Sequence, residues 1–294
     1  MKVLVTADWQ TAFSNLGICN LAKQQVLELV QNEGIGVVIF AGDMKDNYNP
    51  GDFRVTRFVL DFIAELRSRD VIVLCLAGNH DRVNMYEDAN TWLPILARAG
   101  AEIFEQPGWV DGCKIAMLPY RTNEEELSSD LSVLLNARRK DVLDSLLVFH
   151  NDVGGYRNAA DQPAELTLPT MRQFWLSLGG HIHYSHQVDE NVWYVGPPFC
   201  ASWGEVNQRK RYALVDLDHR KFRWIYSSIP GWYDLLLPGY KTPPTWEGAR
   251  LRHRVTIPAG TDSWLAVAKA RKEKFRPLLF SFFHLFPHCC QKKC

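Results

Sequence analysis

Apolar residues along this chain come in short unbroken runs, each stopping at a polar turn. Residues 2–7 (KVLVTA) run into Asp8, residues 36–41 into Gly42-Asp43, and residues 71–77 (VIVLCLA) into Gly78-Asn79-His80-Asp81. Runs this short and this apolar predict buried strands. Between them the spacing changes. Leu21, Val26, Leu29 and Val30 predict a helix closed by Gly34 and Gly36, Phe58, Leu60, Phe62, Ile63 and Leu66 predict a second, and 92–99 predicts a short third ended by Gly100. Such strand–helix alternation implies right-handed parallel crossover units.

After Gly100 the texture shifts to short strands at 102–104, 108–110 and 114–118, which predict a second sheet. Residues 124–140 predict a helix with an acidic start and a basic end, Arg138-Arg139-Lys140, as the helix dipole prefers. Two further apolar runs end in histidine: 145–149 at His150 and 174–180 at His181-Ile182-His183. From 187 to 226 strands recur. Residues 230–244, rich in Pro, Gly and aromatics, read as a domain edge, with a strand at 250–257 and a helix at 263–275 beyond it. The expected organisation is a catalytic domain over 1–229, a partial cap over 230–275 and an atypical tail over 276–294.

Five separated strands thus deliver Asp8, Asp43, Asn79, His150 and the pair His181/His183 to their C-terminal ends, the edge at which open α/β sheets bind ligands. Carboxylates, a carboxamide and imidazoles converging there predict a metal site. Two divalent ions can clamp a phosphate ester, activate water and stabilise the leaving oxygen. Such a pair needs a bridging carboxylate, for which Asp43 is the natural choice. One ion would use Asp8, Asp43 and His183, with Gln10 adding its amide oxygen; the other would use Asp43, Asn79, His150 and His181. His80, beside a ligand without being needed as one, is placed to face the substrate and protonate the leaving oxygen or steady developing charge. Asp46 and Asp81 are expected to orient the ligands.

Composition narrows the picture further. The 294 residues carry a formal net charge of zero, so any nucleic-acid contact must come from local patches. Arg121, Arg157, Arg209, Lys210 and Arg211 are candidates for a phosphate-backbone groove, against the default of a solvated face. Trp9, Tyr156 and Trp203 are candidates for base stacking, with core packing the alternative. His186 reads as a surface or ligand-supporting residue. Cys19, Cys75, Cys113 and Cys200 lie singly among apolar segments, as reduced packing residues do. No signal peptide or membrane-length apolar run stands out, so a cytoplasmic protein without a membrane partner is expected. His284, His288, Cys289, Cys290 and Cys294 in the tail suggest zinc only superficially, because closely set ligand pairs within a formed turn are missing.

The motifs DWQ (8–10), GDMKD (42–46), GNHD (78–81), FHND (149–152) and GHIH (180–183) resemble those of the calcineurin-like metallophosphoesterases. The resemblance covers roughly residues 1–225. It implies a four-layer α/β/β/α sandwich of two mixed sheets with a small partial C-terminal cap, and two divalent metals. Within that family, YVGPPFCASWGE (194–205) is similar to a stretch of the SbcD-type DNA repair exonucleases and their phage counterparts, although Gly196-Pro197-Pro198 lacks their usual serine. That likeness implies a nuclease acting on DNA. The implied partners are an SMC-like ATPase, engaged through a segment beyond the cap that this chain is too short to carry intact, and a second copy in a homodimer. One departure stands out: Gln10 occupies the place of the family's first histidine. An amide oxygen is a harder ligand than imidazole and favours Mn²⁺, or Mg²⁺, over Zn²⁺. The rival readings are a phosphatase or phosphodiesterase for a nucleotide or other small molecule, and a metal-poor binding scaffold. Retention of His80 and the other motif residues speaks against the scaffold.

Overall fold

The structure, a computed structural model, describes residues 1–46, 52–83, 91–138, 141–153, 168–205, 208–229, 232–236 and 250–254. The chain divides into two compact units, one of Met1–Ala201 with Arg209–Ile229, the other of Ser202–Gln208 with Pro230–Cys294.

The first unit opens with β1 (Lys2–Thr6), α1 (Leu16–Glu33), β2 (Val37–Ala41), α2 (Phe53–Arg67), β3 (Ile72–Leu76) and β4 (Ala101–Phe104). It continues through β5 (Gly108–Trp109), β6 (Ile115–Leu118), α3 (Glu124–Ala137), β7 (Leu146–His150), β8 (Leu176–Gly180), β9 (His186–Asp189) and β10 (Val192–Tyr194), and closes with β11 (Arg211–Asp216) and β12 (Lys221–Tyr226). The strands form two six-stranded sheets, ordered β12-β11-β1-β2-β3-β4 and β5-β6-β7-β8-β10-β9. Pairing is parallel from β1 to β4 and along β6-β7-β8-β10, while β5, β9, β11 and β12 join antiparallel, so both sheets are mixed.

The alternation of side chains along each strand builds the layers. Val3, Val5, Val37 and Ile39 turn toward Ile115, Met117, Leu146 and Val148 of the other sheet. Leu4, Val38 and Phe40 turn the opposite way, onto Val26 and Val30 of α1 and Phe62 and Ile63 of α2. On the far side, Ala116, Leu118, Leu147 and Phe149 meet Leu127, Leu131 and Leu134 of α3. The result is a four-layer α/β/β/α sandwich, and every strand at its centre is buried on both faces.

Three local expectations need correction. The strand β4, expected to open the second sheet, pairs in parallel with β3 and forms an edge of the first. Leu21 does not face the core; it is 49% exposed, and α1 buries Cys19, Ala22, Val26, Leu27 and Val30 instead. The helix ends at Gly34 in the left-handed conformation, whose N–H donates to the Val30 carbonyl. α3 stops at Ala137, so Arg138 does not complement its dipole. Arg138 instead leaves the helix, stacks on Trp109 at 5.2 Å and donates to the Cys113 carbonyl. Arg139 and Lys140 lie outside the described residues.

In the second unit, β13 (Trp232–Leu236) and β14 (Arg250–Arg254) pair in parallel. The remainder of 230–275 and the tail at 276–294, including His284, His288, Cys289, Cys290 and Cys294, lie outside the described residues, as do Tyr156 and Arg157. Among the described residues, no helix is long and apolar enough to cross a membrane, and Cys19, Cys75, Cys113 and Cys200 are free thiols.

Candidate metal centre

The turns after β1, β2, β3, β7 and β8 meet at one edge of the sandwich and are laced together by their backbones. Asp8 donates its N–H to the Gly42 carbonyl (3.1 Å) and Gln10 to that of Asp43 (2.9 Å). The N–H of His80 reaches Oδ1 of Asp43 (2.8 Å), and that of His181 reaches Oδ1 of Asp8 (2.8 Å). Four of the expected ligands, Asp8, Gln10, Asp43 and His181, have positive φ (53°, 40°, 55° and 84°). Side chains rarely adopt that region, and such strain clusters at functional sites.

Glycine lets the turns come this close. A Cβ on Gly42 (φ 87°) would sit 2.0 Å from Nδ1 of His150, and one on Gly78 would sit 2.2 Å from Oδ1 of Asp43. In both motifs the glycine precedes a ligand because the neighbouring turn's ligand fills the space a side chain would need.

Two groups of donors result. In one, Oδ1 of Asn79 lies 3.1 Å from Nε2 of His150 and 2.9 Å from Nδ1 of His181. Asp43 joins them with Oδ1 3.4 Å from His150 Nε2, and Asp43, His150 and His181 can each turn one ligand atom to within 4.8 Å of the others. In the other, Gln10 and His183 bring Nε2 to Nε2 at 3.0 Å. A half-turn of the Gln10 amide puts its oxygen there instead. Asp8 stands between the groups: Oδ1 is 3.9 Å from His150 Nδ1, and His183 is its strongest electrostatic partner.

The charge state of these groups fits a cation. Asp8 and Asp43 are both fully buried. Burial pushes the Asp8 carboxyl upward, and Asp43's charge adds to that against the pull of His183 and His150. Burial works the same way on Asp43, but His150, His80 and His181 outweigh it and hold that carboxyl well below the usual range. Oδ2 of Asp8 is buried without a hydrogen-bond partner. A buried carboxylate oxygen left unpaired is costly unless something positive meets it. Oxygen and imidazole donors around that oxygen suit a divalent ion.

His150 is pushed up to about 9; burial opposes this, and the Asp43 carboxylate overcomes it. Both ring nitrogens face acceptors, Nδ1 the Ala41 carbonyl at 2.8 Å and Nε2 Asn79 and Asp43. The ring therefore holds two protons at neutral pH when no ion competes, and a ligating nitrogen must give one up. Metal titration at pH 7 should release about one proton per chain from this ring, fading as pH rises through about 9. Calorimetry in buffers of different ionisation enthalpy reads this directly; buffer-independent heats would mean His150 is not a ligand.

Two supporting roles differ from expectation. Asp81 orients no ligand side chain. Its carboxylate accepts the N–H groups of Asp43 (2.8 Å), Met44 (3.0 Å) and Gly78 (2.9 Å) and the Trp92 indole (3.1 Å), pinning two ligand turns to each other. Asp46 acts through its main-chain carbonyl, which accepts from Nδ1 of His80. The His80 ring is half-buried at the rim. Among the other candidates, Trp9 is no stacking residue: it is buried against Phe40, Phe62 and Phe199 and donates to Thr6. Arg121 is committed to an ion pair with Asp130 (2.8 Å) and to Gln106. Lys210 is buried and donates to the His183 carbonyl at 3.0 Å. The Trp203 side chain lies outside what the structure describes.

Sequence reasoning passed over three residues. Asp152 places Oδ1 3.4 Å from Nε2 of His181, buried and without a hydrogen bond; its place two residues after His150 was the available signal. Lys45 is buried and donates to the carbonyls of His80 and Arg82, bracing the GNHD turn. Tyr120 lays its ring 5.4 Å from that of His181, with Arg82 4.6 Å from its centroid, and nothing in its neighbourhood of the sequence announces this.

A family model described as calcineurin-like phosphoesterase matches residues 1–185. No curated protein matches the chain. Similar solved structures include Yfce, a phosphoesterase from E. coli (14% identity, 78% of this chain and 100% of that one, TM-score 0.38). A Pseudomonas putida nuclease MPE (13%, 72% and 84%, 0.35) and a dimetal phosphatase from Danio rerio (14%, 73% and 91%, 0.40) are others.

Proposed function

Starting from the chain's membership of the calcineurin-like phosphoesterase family, we propose that it is a two-metal phosphodiesterase that hydrolyses DNA, with Mn²⁺ the preferred ion. The observation that carries the metal-dependent chemistry is the orphaned Oδ2 of Asp8 beside the convergent Asp43, Asn79, His150 and His181. Asp8, Gln10, Asp43 and His183 would hold one ion and Asp43, Asn79, His150 and His181 the other. The ions would supply Lewis-acid stabilisation of charge on the phosphoryl oxygens. What supports DNA over a small ester is the similarity of residues 194–205 to the SbcD-type stretch.

The chain's own groups supply positioning and the proton. The carbonyl of Asp46 takes the Nδ1–H of His80 and fixes the ring. With Nδ1 held there, Nε2 is the nitrogen that would pass a proton to the leaving oxygen. The His80 N–H, donated to Oδ1 of Asp43, ties the backbone of that turn to a ligand carboxylate.

The test compares cleavage of oligonucleotides with cleavage of p-nitrophenyl phosphate esters by the Mn²⁺-loaded protein. Activity on small esters alone would replace the DNA reading with a nucleotide or small-molecule esterase. No bound metal and no turnover would leave a binding scaffold. Gln10 supplies a second check. Gln10→His should tighten Mn²⁺ binding by about tenfold, the lower end of the range for altering a ligand's surroundings. Metal titration of the protein measures it, and an unchanged affinity would remove Gln10 from the site.

A further inference from the structure

Immediately beyond His183, a line of aromatic and cationic side chains leads away from the site. Tyr184 is 52% exposed, and its ring stacks on His186 at 5.3 Å with planes 23° apart. Tyr226 is 47% exposed and carries the Arg209 guanidinium 3.4 Å from its ring centroid. Arg211 lies between: it pairs with Tyr226 across the strands, stacks on Trp224 at 3.8 Å, and donates to the hydroxyl and, at 2.9 Å, the carbonyl of Ser185, next to Tyr184.

Strand register places this line at the edge of the metal centre. Arg211 pairs with Tyr226, and β11 runs antiparallel to β1 with Val5 opposite Ala213. Arg211 and Tyr226 therefore stand at the end of the sheet where β1 delivers Asp8. Lys210 holds the His183 carbonyl, tying the same strand to a ligand turn.

The geometry points to a docking strip for one strand of DNA, with bases stacked on Tyr184 and Tyr226 and phosphates met by Arg209 and Arg211. This rests on the DNA reading above. Every base offers a π-face, so exposed rings held flat by a stacked partner suit a strand of any sequence. Arginines beside those rings complement the backbone charge that the neutral chain as a whole does not attract. Continuity with His183 would feed the strand directly to the reacting phosphate.

The test uses fluorescein-labelled oligothymidylate, with bis(p-nitrophenyl) phosphate as the substrate too small to reach the strip. Tyr184→Ala and Tyr226→Ala should each raise the KM for oligothymidylate about tenfold, with little change in kcat or in hydrolysis of the small diester. Tyr→Phe at either position should restore wild-type behaviour, which separates lost stacking from lost folding. Arg209→Ala should lower the salt dependence of oligothymidylate binding by about 0.7 in log–log slope, the signature of one phosphate contact. Wild-type KM values in both alanine variants would overturn the strip and leave the DNA reading standing. Turnover of the small diester without any binding of oligothymidylate would overturn both. Equal or tighter binding of oligouridylate would overturn the choice of DNA.

Discussion

Asp43→Asn should leave the protein with less than one divalent ion per chain, and turnover should fall about a thousandfold, equivalent to about 4 kcal/mol of barrier. Asp43 joins its own turn to those of His80 and His150: its Oδ1 takes the His80 N–H and faces His150, while its own N–H is held by Asp81. Asparagine removes the charge and little else. It tolerates positive φ as aspartate does, so the turn at φ 55° is kept. Its amide oxygen can still accept from His80. Elemental analysis of the purified variant, with a thermal melt to establish folding, reads the outcome. Two ions retained on a folded Asp43→Asn chain would remove Asp43 as the bridge.

Replacing His80 should act on chemistry and spare the metals. His80→Ala should lower DNA cleavage about 10²–10⁴-fold, or roughly 3–5 kcal/mol, while ion content and DNA affinity stay near wild type. The separation is expected because what His80 contributes to the metal centre is its backbone N–H to Asp43, which alanine keeps. Its ring instead rests on the Asp46 carbonyl. The role can be dissected with two leaving groups. p-Nitrophenolate needs little protonation, so a general-acid variant should hydrolyse that ester nearly as fast as wild type and the DNA 3′-alkoxide slowly. Equal losses on both would assign His80 to stabilising phosphoryl charge. A drop in ion content alongside activity would make it a ligand or a structural support.

Much of this was legible in the sequence because one pattern encodes both fold and site. An apolar run ending abruptly in Asp, Asn or His states where a strand is buried and what its end delivers. That pattern alone gathers Asp8, Asp43, Asn79, His150, His181 and His183 at one edge. What escaped was contact made by main chain or across distant segments. Asp46 works through a carbonyl, which no side-chain pattern can reveal. Lys45 stands inside GDMKD with nothing to mark it, and is spent on the carbonyls of the GNHD turn. Trp9 sits beside a ligand, yet beyond β1 the left-handed backbone at Asp8 breaks the strand's alternation, and the indole packs in the helical layer, against Phe62. Leu21 fits a helical stripe by spacing alone, whereas the side of α1 that is covered depends on where the sheet lies.

The left-handed backbone at Asp8, Gln10, Asp43 and His181 sets function against stability. Each non-glycine residue held there costs about 1 kcal/mol or more. Glycine at any of the four would relax the turn and stabilise the apo-protein while deleting a donor. Selection for thermal robustness alone would therefore erode the metal centre first, and a lineage of this fold freed from catalysis should show glycine or asparagine accumulating at these positions before its core changes.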